Sequence, residues 1–326
     1  VLATTGLVSC SANHTDTPPP TIVPAKAAQS PPVTDTPAGE VRPLPGRAQT
    51  ALFDAATASL VVLSPLLESQ SQVTVMLSAG QPRPVRLPAA ATAMTGDNDG
   101  TVYASTRGGY FRVDLRAATA TRVEVDGQSG TDFTAIARRA DGKLALGSAD
   151  GAVYTLSSDT AVGASLKIFA KVDALVAQGN TVVVLDRGQT SVTTVSADGK
   201  GAEHALRAGE GATTIAADTA GRVLVADTRG GELLVYGINP LILRQAYPVP
   251  DAPYGLVGSP KLAWVSQTAT NTVVGYDLAT GIPVEKVRYR TVQQPNSLAF
   301  DDASGTLYVV SGSGAGVQVI ANAGIR

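Results

Sequence analysis

An all-β, seven-bladed β-propeller is the fold this sequence predicts, and three observations carry the prediction. One pattern recurs seven times, in copies opening near Ala51, Ala93, Ala135, Ala174, Thr214, Gly255 and Ser297, at intervals of 39 to 42 residues. A period near forty built from short strands fits one four-stranded blade per copy. Each copy passes from an apolar run through a turn to a β-branched run ending in a small or polar residue, as in Thr101-Val102-Tyr103-Ala104-Ser105, Arg222-Val223-Leu224-Val225-Ala226 and Thr306-Leu307-Tyr308-Val309-Val310-Ser311. Helical periodicity is absent throughout, which leaves the alternation of strands as the regular signal.

Taken from the N-terminus, residues 1–9 are small and apolar, like the tail of a signal-peptide hydrophobic region without its Met and basic start. Cys10 is the single cysteine, so an internal disulfide is excluded. It ends the string Leu7-Val8-Ser9-Cys10, which resembles a bacterial lipobox, in which the cysteine is lipidated and becomes the mature N-terminus. A free cysteine in a disordered tail is the alternative. The lipobox reading places the protein on the extracytoplasmic side of a cell membrane, held through its N-terminal lipid. From Ser11 to Glu40 the composition turns to Pro, Thr, Ala, Ser and Asp, with seven prolines. Such a segment buries too little to offset its ordering entropy. The expectation for residues 10–40 is therefore a lipidated cysteine followed by a disordered tether, reaching ~30 Å as a coil and up to ~90 Å as polyproline II. Residues 41–326 form the propeller. No other stretch approaches the ~20 apolar residues that a membrane-spanning helix needs.

Within the propeller, the second copy resolves into strands at Thr92 to Thr95, Thr101 to Ser105, Tyr110 to Leu115 and Thr121 to Val125. The fifth follows the same plan at Thr213 to Ala216, Arg222 to Ala226, Glu232 to Tyr236 and Arg244 to Val249. Small residues mark the innermost strands, where blades crowd the axis, and larger aliphatics mark the second and third. The seventh copy stops at its third strand, Val317-Gln318-Val319-Ile320. Its missing outer strand is expected from Val41-Arg42-Pro43-Leu44-Pro45, which echoes Val85-Arg86-Leu87-Pro88 of the first copy. Prolines are tolerable there because an outer strand has one unpaired edge, and closure removes an exposed edge from the ring.

The run Pro295-Asn296-Ser297-Leu298-Ala299-Phe300, with Gly305-Thr306-Leu307-Tyr308-Val309-Val310 and Gly316-Val317-Gln318-Val319-Ile320, resembles a repeat of the YVTN/NHL-type propellers. Pro253-Tyr254-Gly255-Leu256 opens the sixth copy similarly. With the lipobox-like string and an excess of Arg over Lys, 18 to 7, the chain is similar to the propeller lipoproteins of mycobacteria and their relatives. That resemblance implies an envelope-associated binding or accessory role and no agreed reaction.

Composition excludes some partners. A formal charge of −2 with no basic stripe argues against nucleic acid, whose phosphates demand one. Of two histidines, His14 lies in the tether and His204 in an expected outer strand, and neither has a neighbour at metal-ligand spacing. Lactonase-type propellers use carboxylate and Asn ligands on several inner strands; here only Asp54 and Asp301-Asp302 lie near them, at strand ends where an acid caps a turn. No metal and no cofactor is expected. A quinoprotein is disfavoured by the single Trp and the lack of paired cysteines. Asp97-Asn98-Asp99-Gly100 gathers oxygen ligands, but its Gly falls too early for an EF-hand and a closing acid is missing, so a turn is expected. Ser148-Ala149-Asp150-Gly151 likewise reads as a turn, and Trp264 and Tyr103 as blade core.

One polar position repeats where the second strand of each copy ends: Ser64, Thr106, Ser148, Asp186, Asp227, Gln267 and Gly312. These positions are expected on one face of the disc. Arg107, Arg187 and Arg229 stand beside them, and Asp132, Tyr254 and Asn296 join from the loops between blades. The face reads either as solvated turns or as a recognition surface, since Arg suits carboxylate, phosphate and sugar-bearing partners. The candidate binding set is Arg107, Asp132, Asp186, Arg187, Asp227, Arg229, Tyr254, Gln267 and Asn296. Two function classes follow. One is a non-catalytic scaffold lipoprotein that recognises an envelope protein, glycan or lipid-transport component; the other is a lactonase-like hydrolase or lyase acting at the central channel.

Overall fold

The computed structural model describes residues 20–67, 69–78 and 80–324; Cys10 and His14 lie outside them. Seven antiparallel sheets of four strands each surround an axis, and the described residues contain no helix. The innermost strands are Thr50–Asp54, Ala91–Gly96, Phe133–Arg138, Ala174–Gln178, Ala212–Ala217, Pro253–Gly258 and Pro295–Asp301, one for each expected copy. Blades are numbered here in that order.

Their small polar residues have a role that periodicity alone did not assign. Near one mouth of the axis, hydroxyls and amides pass hydrogen bonds from blade to blade. Gln49 Nε2 donates to the Thr92 carbonyl at 2.8 Å, Thr92 Oγ1 to the Phe133 carbonyl at 2.7 Å, and Thr134 Oγ1 to the Val172 carbonyl at 2.5 Å. Thr214 Oγ1 donates to the Tyr254 carbonyl, and the Ala51 amide donates to Ser297 Oγ at 2.9 Å. Inner strands are too crowded for large side chains, so short polar ones satisfy the strand-end carbonyls there.

Farther out, blades pack through aliphatic and aromatic clusters. Between blades 1 and 2 the cluster includes Val61, Val73, Leu87, Phe111 and Leu115. Trp264, fully buried, stacks between the rings of Tyr289 and Phe300 at 6.3 and 6.2 Å, and its indole donates to Ser259 Oγ at 3.3 Å. The expectation that Trp264 belongs to blade core is met.

The ring closes as the truncated seventh copy requires. Glu40–Arg42 pairs antiparallel with Val317–Ile320, in the register Glu40↔Val319, Val41↔Gln318 and Arg42↔Val317. The strand ends at Arg42, three residues short of Pro45, because proline cannot donate to a ladder. Gln318 locks the joint from inside. Its buried amide donates to the carbonyls of Ala38 at 2.7 Å and Arg290 at 2.9 Å, and its oxygen accepts the Val292 amide at 3.0 Å.

The structure departs from the sequence reading before that strand. Residues 20–39, expected to belong to a disordered tether, lie along one face of the propeller with repeated hydrogen bonds to blades 4 to 7. Composition argued for disorder because the segment offers few side chains to bury. The contacts are made mostly to its backbone instead, with the side chains of Ser30 and Asp35 adding to them, and composition does not report those.

Candidate functional site

In blades 2 to 6 the polar position ends the second strand as the sequence reading has it, while Ser64 lies three residues inside its strand and half-buried Gly312 just beyond its own. For the polar residues, however, exposure is the reverse of that expected. Ser64, Thr106, Ser148, Asp186, Asp227 and Gln267 are all buried, none more than 2% exposed. Asp186 accepts the amides of Ala170 at 2.8 Å and Lys171 at 3.3 Å, from the loop entering blade 4, and that of Gln189 at 2.9 Å. Asp227 does the same one blade on, accepting from Glu210 and Gly211 at 2.8 Å each and from Gly230 at 3.0 Å. Gln267 donates to the Pro250 carbonyl at 2.8 Å and accepts from Arg288 at 2.6 Å. The cause is common to all three. The interblade loop crosses the end of the second strand with backbone groups that no ladder pairs, amides at Asp186 and Asp227 and a carbonyl at Gln267, and a buried side chain must meet them. Asp186, Asp227 and Gln267 are therefore clamps that hold the face together, and their carboxylate and amide groups are not presented to a partner.

Two of the three arginines are engaged by the chain's own N-terminal segment. Arg229 Nη2 donates to the Val23 carbonyl at 2.6 Å and Arg187 Nη2 to the Ala25 carbonyl, while the Ile22 amide donates to the Gly188 carbonyl at 2.8 Å. On blades 6 and 7 the Ala28 amide donates to Thr268 Oγ1 at 3.1 Å, and Gln294 accepts the Ser30 amide at 3.0 Å and donates to the Ala28 carbonyl at 2.9 Å. Asn271 Nδ2 holds the Pro31 carbonyl at 2.8 Å, and Asp35 pairs with Arg290 at 3.2 Å before the chain turns at Gly39 into the closing strand. This strap binds almost wholly through main-chain groups; only Ala25 and Ser30 of residues 20–39 are buried. Thr268, Asn271 and Gln294 were not singled out from the sequence. The repeat carries no signal for them, because their partner lies 240 or more residues away.

The remaining candidates divide into two places. Arg107 and Asp132 are exposed and face each other across an isolated bridge at the edge of blades 2 and 3, away from the strap. Tyr254 and Asn296 are half-buried at the mouth of an axial cavity of about 490 Å³. Tyr254 also borders the space beneath Thr21 to Ala27, so the strap and the mouth adjoin. Asn296 Oδ1 accepts from Gln294 at 3.0 Å, and Gly312 is needed opposite, since a Cβ there would stand 2.5 Å from Asn296 Nδ2. The cavity wall is apolar and hydroxylic, with Leu52, Phe53, Met94, Ile215, Leu256 and Phe300 prominent, and no ionisable carboxylate, imidazole, amine or guanidinium lines it among the described residues.

On the opposite face, aspartates cap turns as expected. Asp54 accepts the amides of Thr57 at 2.9 Å and Gly100 at 3.1 Å. Asp97 accepts those of Asp99 at 2.8 Å and Thr101 at 2.9 Å; burial pushes its carboxyl upward, but these donors outweigh it and hold the group below the usual carboxylate range. The oxygens of Asp97-Asn98-Asp99-Gly100 thus form a turn. Among the described residues no three His, Cys, Asp or Glu side chains gather as metal ligands would.

Replacing both strap arginines (Arg187→Ser with Arg229→Ser) is expected to loosen the strap and leave the ring intact. Each lost bond costs about 1 kcal/mol of docking. Limited proteolysis should then cut residues 20–35 faster, with a melting midpoint within a degree or two of wild type.

No family model matches the chain, and no curated relative does. Solved structures of the same fold do. A streptogramin B lyase superposes with a TM-score of 0.70 at 11% identity, covering 87% of this chain and 97% of that one. A virginiamycin B lyase from Staphylococcus aureus gives 0.69 at 9%, over 84% and 94%. The WD40 propeller domain of Doa1 gives 0.64 at 12%, over 87% and 95%. At these identities the likeness is one of fold, and the fold serves lyases and WD40 modules alike.

Proposed function

We propose that the chain is a membrane-anchored, extracytoplasmic binding scaffold of the cell envelope, held by a lipid on Cys10. Through the strap-bearing face of its propeller it recognises an envelope protein, a glycan or a lipid-transport component. The observation that carries this reading is the division of chemistry between the axis and the face. The axial cavity offers apolar, hydroxyl, phenol and amide groups, and among the described residues no carboxylate, imidazole, amine or guanidinium lines it. The face offers guanidinium and amide donors already aimed at polypeptide carbonyls. The lipobox-like string and the resemblance to mycobacterial propeller lipoproteins support the address.

The strap changes what the lipid would do. Ten residues separate Cys10 from Thr21, a span of at most ~40 Å. An anchored molecule would therefore keep the strap-bearing face near the bilayer instead of swinging on a long tether. Cys10→Ala should move the protein from the membrane fraction to the soluble one with its melting midpoint unchanged. Membrane retention equal to wild type would refute the anchor.

A lyase or lactonase-like reaction at the channel is the second reading, and the shared fold of the streptogramin B and virginiamycin B lyases is what favours it. Elemental analysis separates the two: a stoichiometric divalent ion in purified protein would support the lyase reading over the scaffold.

A further inference from the structure

We infer that the bed of the strap is a polypeptide-binding groove that accepts, from another protein, an extended proline-containing segment with small residues five positions apart. This rests on the reading of the strap-bearing face as the recognition surface, and it names the partner's chemistry. The groove reads main chain. Arg229, Arg187, Gln294 and Asn271 each donate a side-chain N–H to a carbonyl of the strap, at Val23, Ala25, Ala28 and Pro31 in turn. A polyproline-like segment offers carbonyls along its whole length, free of internal hydrogen bonds, while its prolines bring no N–H to satisfy. The donors of the groove match that imbalance.

Side chains are selected at only two points. Ala25 and Ser30 are 8% and 5% exposed, and the bed at Ala25 is close enough that a Cβ on Gly211 would lie 3.0 Å from that of Ala25. Much of the remaining strap faces outward, with Val23 79% exposed, while Ala27, Ala28, Pro37 and Ala38 are half-buried. Nothing in these contacts depends on the strap belonging to the same chain, apart from its covalent link through Gly39.

A second observation concerns the arginine that holds Ala25. Arg187 Nε is buried and makes no hydrogen bond, so the groove contains a donor that the strap leaves unused. A buried donor without a partner costs stability. A competing segment with an acceptor side chain beside the position of Ala25 would satisfy it and bind the better for doing so. The strap then acts as a placeholder whose covalent attachment gives it an effective concentration in the millimolar range.

The test uses the full-length protein and a fluorescein-labelled peptide with the sequence of residues 20–32, followed by fluorescence anisotropy. Wild type should bind the peptide weakly, because its own strap competes. Full-length protein carrying Ala25→Arg and Ser30→Arg, whose strap cannot seat, should bind it at least tenfold more tightly. The same two substitutions in the peptide should abolish binding. Adding Arg229→Ser and Gln294→Ala to the strap variant should remove the gain at an unchanged melting midpoint. Equal affinity of wild type and strap variant, weak or tight, overturns the proposal, as does a gain that survives loss of Arg229 and Gln294. The assay contains no membrane, so failure of the Cys10 anchor and failure of the groove are read separately.

Discussion

Deleting residues 11–46 is expected to lower the melting midpoint by on the order of 10 °C or to drive the protein into dimers, whereas deleting residues 11–37 costs only the strap. The longer deletion removes the closing strand and with it the cover over Val317, Gln318, Tyr308 and Val310. It also removes Leu44, which is buried in the same cluster, and uncovers Ala48 beside it. Burial of Leu44 contributes ~2 kcal/mol, and the lost ladder bonds and the Ala38 carbonyl on Gln318 add about 1 kcal/mol each. The strand left behind, Val317–Ile320, would present an open edge able to pair with a second molecule. Thermal unfolding and light scattering on the two truncations decide the matter: equal midpoints with no association would contradict closure by residues 40–42.

Asp227→Ala is expected to destabilise the propeller by about 3 kcal/mol, because it strands three amides around a fully buried site. Those amides come from two separate segments, Glu210 and Gly211 in the loop from blade 4 and Gly230 in the blade-5 turn, so the loss uncouples neighbouring blades. Asp227→Asn keeps one acceptor oxygen and should cost roughly half as much. Urea unfolding of both variants measures this directly. An Asp227→Ala protein as stable as wild type would return the residue to the exposed, partner-binding role that its sequence position suggested.

Architecture was legible in the sequence because a propeller repeats its instructions. Seven inner strands, the early end of the seventh copy and the echo between Val41-Arg42 and Val85-Arg86 fixed the blade count and the point of closure. The candidate site was legible only in part. A polar residue ending every second strand marks one face, yet whether it points outward or receives amides depends on the path of the neighbouring loop. Asp186 and Asp227 show that dependence: the pattern located them and misjudged their burial. The strap escaped composition-based reading for a related reason. Prolines, alanines and threonines predict no core, and the segment indeed builds none; it is held by Arg187, Arg229, Asn271 and Gln294 through its carbonyls, and side-chain hydrophobicity carries no trace of that.

Both the scaffold reading and the groove depend on residues 20–38 being held on the propeller face. Amide hydrogen exchange on the intact chain, read by mass spectrometry over peptides spanning that segment, measures this most directly. The account predicts protection at Ile22, Ala28, Ser30 and Ala38, whose amides are bonded to the face, of at least about tenfold over a free chain, with faster exchange than in the blade strands. Free-chain exchange rates across residues 20–38 would contradict it.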